Sequence, residues 1–219
     1  MKSIFYSNSL WSSSLRLCLL LAFSLGVCCQ LQAQSDCNSP GSLSGYVTTL
    51  RGAGLNQVVV TLTSRSSSIV RTATTDALGF YRVEDLPYGQ TYDISLIKDD
   101  DSPYEGLDDR DATQLSRLVL QMDSLTYWQA YSADLNGNST ISSFDLVDLV
   151  RLIRRESDGL PGIVGNWRFI PDNATVGRAA NDFSLFPLAN PVLENLRSDA
   201  SMNFTGVKAG DLDFNATGN

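Results

Sequence analysis

The chain has 219 residues, 43% of them hydrophobic, with a formal net charge of −8 and no histidine. That charge disfavours nucleic acid and anionic lipid as partners. The missing histidine excludes His-based catalytic triads and the usual zinc sites.

Residues 1–34 read as a signal peptide. Lys2 and Arg16 are its only charges, Leu17–Cys29 is an apolar run, and "QLQAQS" offers a cleavage point near Ala33 or Gln34. The run is short for a membrane span. "LGVC" ending at Cys28 leaves lipoprotein processing open as an alternative to ordinary secretion, which Val27 favours. Losing Lys2 and Arg16 takes the mature charge from −8 to −10 and leaves Cys37 alone, so no internal disulfide is expected there. Any metal must then be a hard cation held by oxygen.

Residues 35–98 read as an all-β unit. "GYVTTL", "VVVTLTS", "IVRTATT", "FYRVEDL" and "TYDISLIKD" are short strands separated by "RGAGLNQ", "RSSS", "DALG" and "PYGQ". Val58, Val60 and Leu62 share one face, and several short strands joined by turns indicate a β-sandwich.

Residues 99–170 change character. "LDDRDATQLSRLVLQM" places Leu115, Leu118, Val119 and Met122 at helical spacing. "SLTYWQAYSAD" reads as a shorter helix, and "SSFDLVDLVRLIRRES" as a third with Leu146, Leu149, Val150 and Ile153 on one face. Ser142 or Ser143 caps that third helix, and its acids precede its arginines as the helix dipole favours. Residues 171–219, rich in Pro and Asn, receive no fold assignment, although "SMNFTGVKAG" suits an edge strand.

The stretch before the third helix carries chemistry. Counting Asp134 as position one of a twelve-residue loop places Asn136 at three, Asn138 at five, Thr140 at seven, Ser142 at nine and Asp145 at twelve. A calcium loop of the EF-hand type needs side-chain oxygens at one, three and five, a main-chain carbonyl at seven and a carboxylate at twelve. Ser139 stands at position six, where a glycine is usual, and Asp145 is shorter than the usual Glu. The bland reading is an Asx-rich turn before a helix. The twelve-position match leading into an amphipathic helix favours the cation.

The scheme recurs 34 residues earlier, with Asp100, Ser102, Gly106, Asp108 and Asp111 at positions one, three, seven, nine and twelve. Leu115 and Leu149 correspond, as do Leu118 and Leu152, and Arg117 and Arg151. This copy is degenerate, with Pro103 and Tyr104 at four and five. A third fragment, "GDLDFNATGN", sets Asp211, Asp213 and Asn215 at positions one, three and five with no position twelve behind them.

Two resemblances follow from these residues. Asp76, Gly79, Phe80, Tyr81, Leu86, Pro87, Gly89 and Tyr92 stand where carboxypeptidase-regulatory-like, or Cna B-type, prealbumin-like modules carry their T-D-x-x-G-x-Y and L-P-x-G-x-Y signatures. Such modules are usually non-catalytic spacers. The duplicated loop and helix, above all "ADLNGNSTISSFDLVDLVRLI", resembles type I dockerin. That resemblance implies a calcium-dependent plug for a cohesin-type partner. Its contacts, carried over by position, fall on Asp109, Arg110, Arg117, Ser143, Phe144 and Arg151. The module order is similar to that of exported proteins of the Bacteroidetes type. Trp167 and Phe169 are then expected to pack the end of the helical unit on itself.

The expected fold class is α+β and multi-module: an all-β prealbumin-like sandwich followed by an all-α dockerin-like pair of calcium loop-helix repeats. The expected function is secreted or cell-surface, non-catalytic and calcium-dependent docking, within assemblies that degrade polysaccharide. A calcium-rigidified stalk or adhesin without a cohesin partner is the alternative. A fragment of a dockerin-bearing glycoside hydrolase is the weakest reading, because nothing beyond two small modules remains to place two carboxylates about 5–10 Å apart across a cleft.

Overall fold

Alternating apolar residues build the sandwich. A computed structural model describes residues 40–124, 126–160, 165–173 and 191–218, all within one unit, Pro40–Asn219. Residues 1–34, expected to be a signal peptide, and Cys37 lie outside the described residues. The first five strands are β1 (Gly41–Thr49), β2 (Val59–Ser64), β3 (Val70–Thr74), β4 (Phe80–Leu86) and β5 (Tyr92–Ile97). Val58, Val60 and Leu62 do share a buried face, packed with Leu43 and Val47 of β1, Tyr81 and Val83 of β4, and Ile94 of β5.

The signature residues have structural work. Gly79 closes the "DALG" turn with φ +78°, and a Cβ there would lie 2.1 Å from the Val47 carbonyl oxygen. Asp76 Oδ1 accepts from the Leu78 and Phe80 amides, each at 2.9 Å, which locks the turn. The buried Tyr92 turns its hydroxyl onto the Pro87 carbonyl at 3.1 Å.

The sandwich does not end at residue 98. Four later strands join it: β6 (Trp167–Pro171), β7 (Val192–Leu193), β8 (Ala200–Ser201) and β9 (Phe204–Lys208). One sheet runs β4-β1-β9-β6, with β8 also beside β1, and the other runs β3-β2-β5-β7. The segment expected as an edge strand is therefore interior, parallel to β1 and antiparallel to β6. Its residues explain the position: Phe204, Gly206, Val207 and Lys208 are all buried. Trp167 and Phe169 likewise pack into the sandwich core and not onto the helices.

The helical unit is smaller than an all-α pair of repeats. It holds three short helices, α1 (Asp109–Val119), α2 (Tyr127–Ala133) and α3 (Ser143–Ile153). Each starts with a capping box, on Asp108, Thr126 and Ser142. The 34-residue repeat is visible in how α1 and α3 end. Gln121 and Arg155 adopt φ of +57° and +58°, and the next amides, of Met122 and Glu156, each return to an arginine carbonyl, Arg117 and Arg151, at 2.8 Å. That early stop leaves Met122 outside the core at 61% exposure, against expectation. Leu115, Leu118, Leu149 and Leu152 are buried, and Leu115, Leu118 and Leu149 form a small core with Ala133, Leu135 and Leu212.

A buried ion pair pins the segment after β5 to β9. Lys208 Nζ donates to Asp101 Oδ2 and to the Ser102 carbonyl, both at 2.7 Å, and lies 5.6 Å from the centre of the Trp167 ring. The Trp167 indole N–H donates to the same Asp101 oxygen at 2.8 Å.

Candidate metal centre

The end of α2, the loop 134–142 and the start of α3 form one curl. Asp134 is 4% exposed and Asp145 is fully buried, so both anionic ends of the loop sit inside. Asp145 Oδ1 accepts from the Leu135 and Asn136 amides at 3.0 and 3.4 Å, and its Oδ2 from the Ser142 amide at 2.9 Å. Asp134 accepts from the Asn138 and Ser139 amides at 3.1 and 2.9 Å. The Asn138 amide is shared with Asn136 Oδ1, also at 3.1 Å, which brings the oxygens of positions one and three together. Asn138 Oδ1 accepts from the Thr140 amide at 2.8 Å.

Each Asp134 oxygen accepts one hydrogen bond and keeps a second lone pair for a ligand, whereas Asp145 Oδ1 accepts two amides and its Oδ2 both the amide and the hydroxyl of Ser142. Position six, Ser139, adopts φ +61°, the left-handed value that the curl demands, and Gly137 takes φ +71°. From behind, Arg168 of β6 donates to the Tyr131 and Asp134 carbonyls, which ties the curl to the sandwich. Burial pulls that guanidinium below its usual value, while the Asp134 charge, the Tyr131 side chain and the Asp145 charge act to raise it. The donor set is all oxygen, with two buried carboxylates and two amide carbonyls. It fits a hard divalent cation of calcium's preferences.

The degenerate copy is arranged otherwise. Asp100 is drawn 2.6 Å from Lys98 Nζ. Asp108 caps α1, Ser102 Oγ accepts from the Tyr104 amide at 3.2 Å, and a Cβ on Gly106 (φ +76°) would lie 2.6 Å from the Ala216 Cβ. Asp111 is the only one of the five that meets other acids, and those acids come from the C-terminal segment. One carboxylate oxygen each from Asp111, Asp211 and Asp213 falls within 4.8 Å of the others. Burial, with Asp111 and Asp213 beside it, pushes the Asp211 carboxyl up to about 6. Burial likewise raises Asp111, against the hydrogen bonds it accepts. The sequence shows both halves of this cluster but no signal that joins them.

The residues carried over for partner contact lie on the outer side of the helices. Phe144 is 73% exposed and Ser143 is exposed. Asp109 and Arg110 are exposed at the start of α1. Arg117 is engaged with Asp123 at 2.6 Å, and Arg151 lies 3.9 Å from Asp148.

The model of the Carboxypeptidase regulatory-like domain matches residues 42–99. Those residues are such a domain. The match covers β1 to β5, and the domain is a β-sandwich that is not itself catalytic. No curated protein and no solved structure matches the chain. Among the described residues, no helix is long and apolar enough to cross a membrane.

Proposed function

We propose that the chain is an exported, non-catalytic module that binds calcium through Asp134, Asn136, Asn138, Thr140, Ser142 and Asp145 and docks a protein partner from the helical face beside that loop. The observation that carries this reading is the burial of Asp134 and Asp145 at the two ends of one curl whose Leu135, Asn136, Asn138, Ser139 and Ser142 amides turn toward their carboxylates. Bound calcium supplies positive charge to those buried anions and fixes the start of α3. Phe144 and Ser143, one and two residues before Asp145, are held outward by the same turn. A cohesin-type partner, in a polysaccharide-degrading assembly at the cell surface, is the occupant that the dockerin resemblance implies. A calcium-stiffened stalk or adhesin without such a partner shares the same ion chemistry.

The test is calcium titration by calorimetry on chelator-treated protein, beside the Asp134→Ala/Asp145→Ala variant. Saturable heat that the variant loses supports the loop. No heat, with a melting temperature indifferent to chelator, refutes it.

A further inference from the structure

We propose a second divalent-cation site that is split along the chain: Asp211, Asp213 and Asn215 supply its first half, and Asp111 of α1 closes it from about a hundred residues away. Three carboxylate oxygens converge within 4.8 Å, on residues that include the fully buried Asp111 and the 3% exposed Asp211. A separate observation points to a ligand. Asp213 Oδ1 is shut off from solvent and accepts no hydrogen bond. A buried carboxylate oxygen without a partner is costly unless something positive meets it. Among the described residues, no lysine or arginine forms an ion pair with any of the three.

The main-chain hydrogen bonds to the carboxylates repeat those of the 134–145 curl, although the two halves are far apart in sequence and the Thr217 amide turns to Glu105 where the Thr140 amide turns to Asn138. Asp111 Oδ1 accepts from the Leu212 and Asp213 amides at 2.8 and 3.3 Å, as Asp145 Oδ1 does from Leu135 and Asn136. Asp211 accepts from the Asn215 and Ala216 amides at 3.1 and 2.9 Å, as Asp134 does from Asn138 and Ser139. Asp111 Oδ2 accepts from its own N-cap amide, Asp108, at 2.9 Å, as Asp145 Oδ2 does from Ser142. Leu212, like Leu135, is buried in the helical core. The first repeat is therefore complete in space, with its opening half moved to the far end of the chain and residues 100–107 put to another use.

Oxygen donors and three negative charges select a hard divalent cation, and calcium is the ion if the 134–145 reading holds. Bound there, it would fasten the irregular segment that follows β9 to the start of α1. The ion would thus act as a staple between the helical core and the segment after β9, which no disulfide among the described residues supplies.

The experiment is calcium calorimetry on the full chain and on two isosteric variants, Asp211→Asn/Asp213→Asn and Asp134→Asn/Asp145→Asn, with circular dichroism to check folding. The expected result is two ions for the parent and one for each variant. One ion in the parent, lost only in the Asp134/Asp145 variant, overturns the split site and leaves the first loop standing. One ion lost only in the Asp211/Asp213 variant supports the split site and sinks the loop, and no ion at all refutes both. Amide hydrogen exchange on the parent needs no variant. Saturating calcium should slow exchange at Leu212, Asp213, Asn215 and Ala216 at least tenfold relative to chelator, and unchanged exchange there counts against the site.

Discussion

Replacing Lys208 with methionine isolates what the junction ion pair contributes. The lysine and Asp101 side chains are 0% and 1% exposed, so neither recovers hydration when its partner goes. In Lys208→Met the Asp101 Oδ2 keeps only the Trp167 indole, and its Oδ1 has no hydrogen bond even in the parent. The Ser102 carbonyl loses a donor as well. Removing one member of a buried pair costs about 3–5 kcal/mol, because the remaining charge is stranded. For a domain of this size each kcal/mol moves Tm by roughly 2–4 °C, so a fall of about 6–20 °C is expected. The double variant Lys208→Met/Asp101→Leu removes both charges and should regain most of that loss, since apolar replacement of a whole pair is often neutral. Thermal melts followed by circular dichroism in calcium-saturated buffer read both numbers. A single variant within about 2 °C of the parent, or a double variant no better than the single, would show that the pair is solvated or inessential.

Other outcomes follow from the same geometry. Ser139→Gly relieves a left-handed residue at φ +61° and should stabilise the protein by about 1 kcal/mol while leaving calcium stoichiometry unchanged, as denaturant titration would show. Phe144→Glu alters a side chain that is 73% exposed. It should abolish pull-down of a docking partner while the calcium-dependent Tm shift persists, and an equal loss of both would place Phe144 in the fold. The pH dependence has a definite sign. Asp211, with Asp111 and Asp213 beside it, has a folded value of about 6 against an ordinary 3.8, so without metal the folded state holds a proton that the unfolded state has released. Chelated protein should therefore lose stability as pH rises from about 4 to 6, and calcium should flatten that slope. Glu105, Asp93 and Asp123, held below their ordinary values, act in the opposite sense, so the comparison is with Asp211→Asn, and a parent slope equal to that variant's over this window would contradict the burial of that carboxyl.

The first five β-strands were legible because each is short and bounded by a turn with its own chemistry: "FYRVEDL" is β4, Phe80–Leu86, residue for residue. The helices were legible from Leu115, Leu118 and Leu149, but their ends were not. Their left-handed stops are made by Gln121 and Arg155, residues that carry no turn signal. The loop at 134–145 was readable because all its donors are local. Its relative was not, since Asp111 and Asp211 meet only after β9 has been laid between β1 and β6. The degenerate 100–111 loop misled for a physical reason. Asp100 is claimed by Lys98, Asp108 by the cap of α1, and the neighbouring Asp101 and Glu105 by Lys208 of β9, which leaves only Asp111 free to meet other acids.

The interior position of β9 has a consequence for how this protein can be divided. Residues 42–99 match the family by themselves, yet in this chain β1 is hydrogen-bonded to Phe204–Gly206 along the edge that β4 does not cover. A fragment cut at residue 99 would present that edge bare, an invitation to pair with a neighbouring copy. The sheet can close only after the helices have been synthesised, because its central partner lies about 157 residues downstream of β1. During synthesis the sandwich would thus stay open until late, and the cut that a domain map recommends is the one this sheet tolerates least.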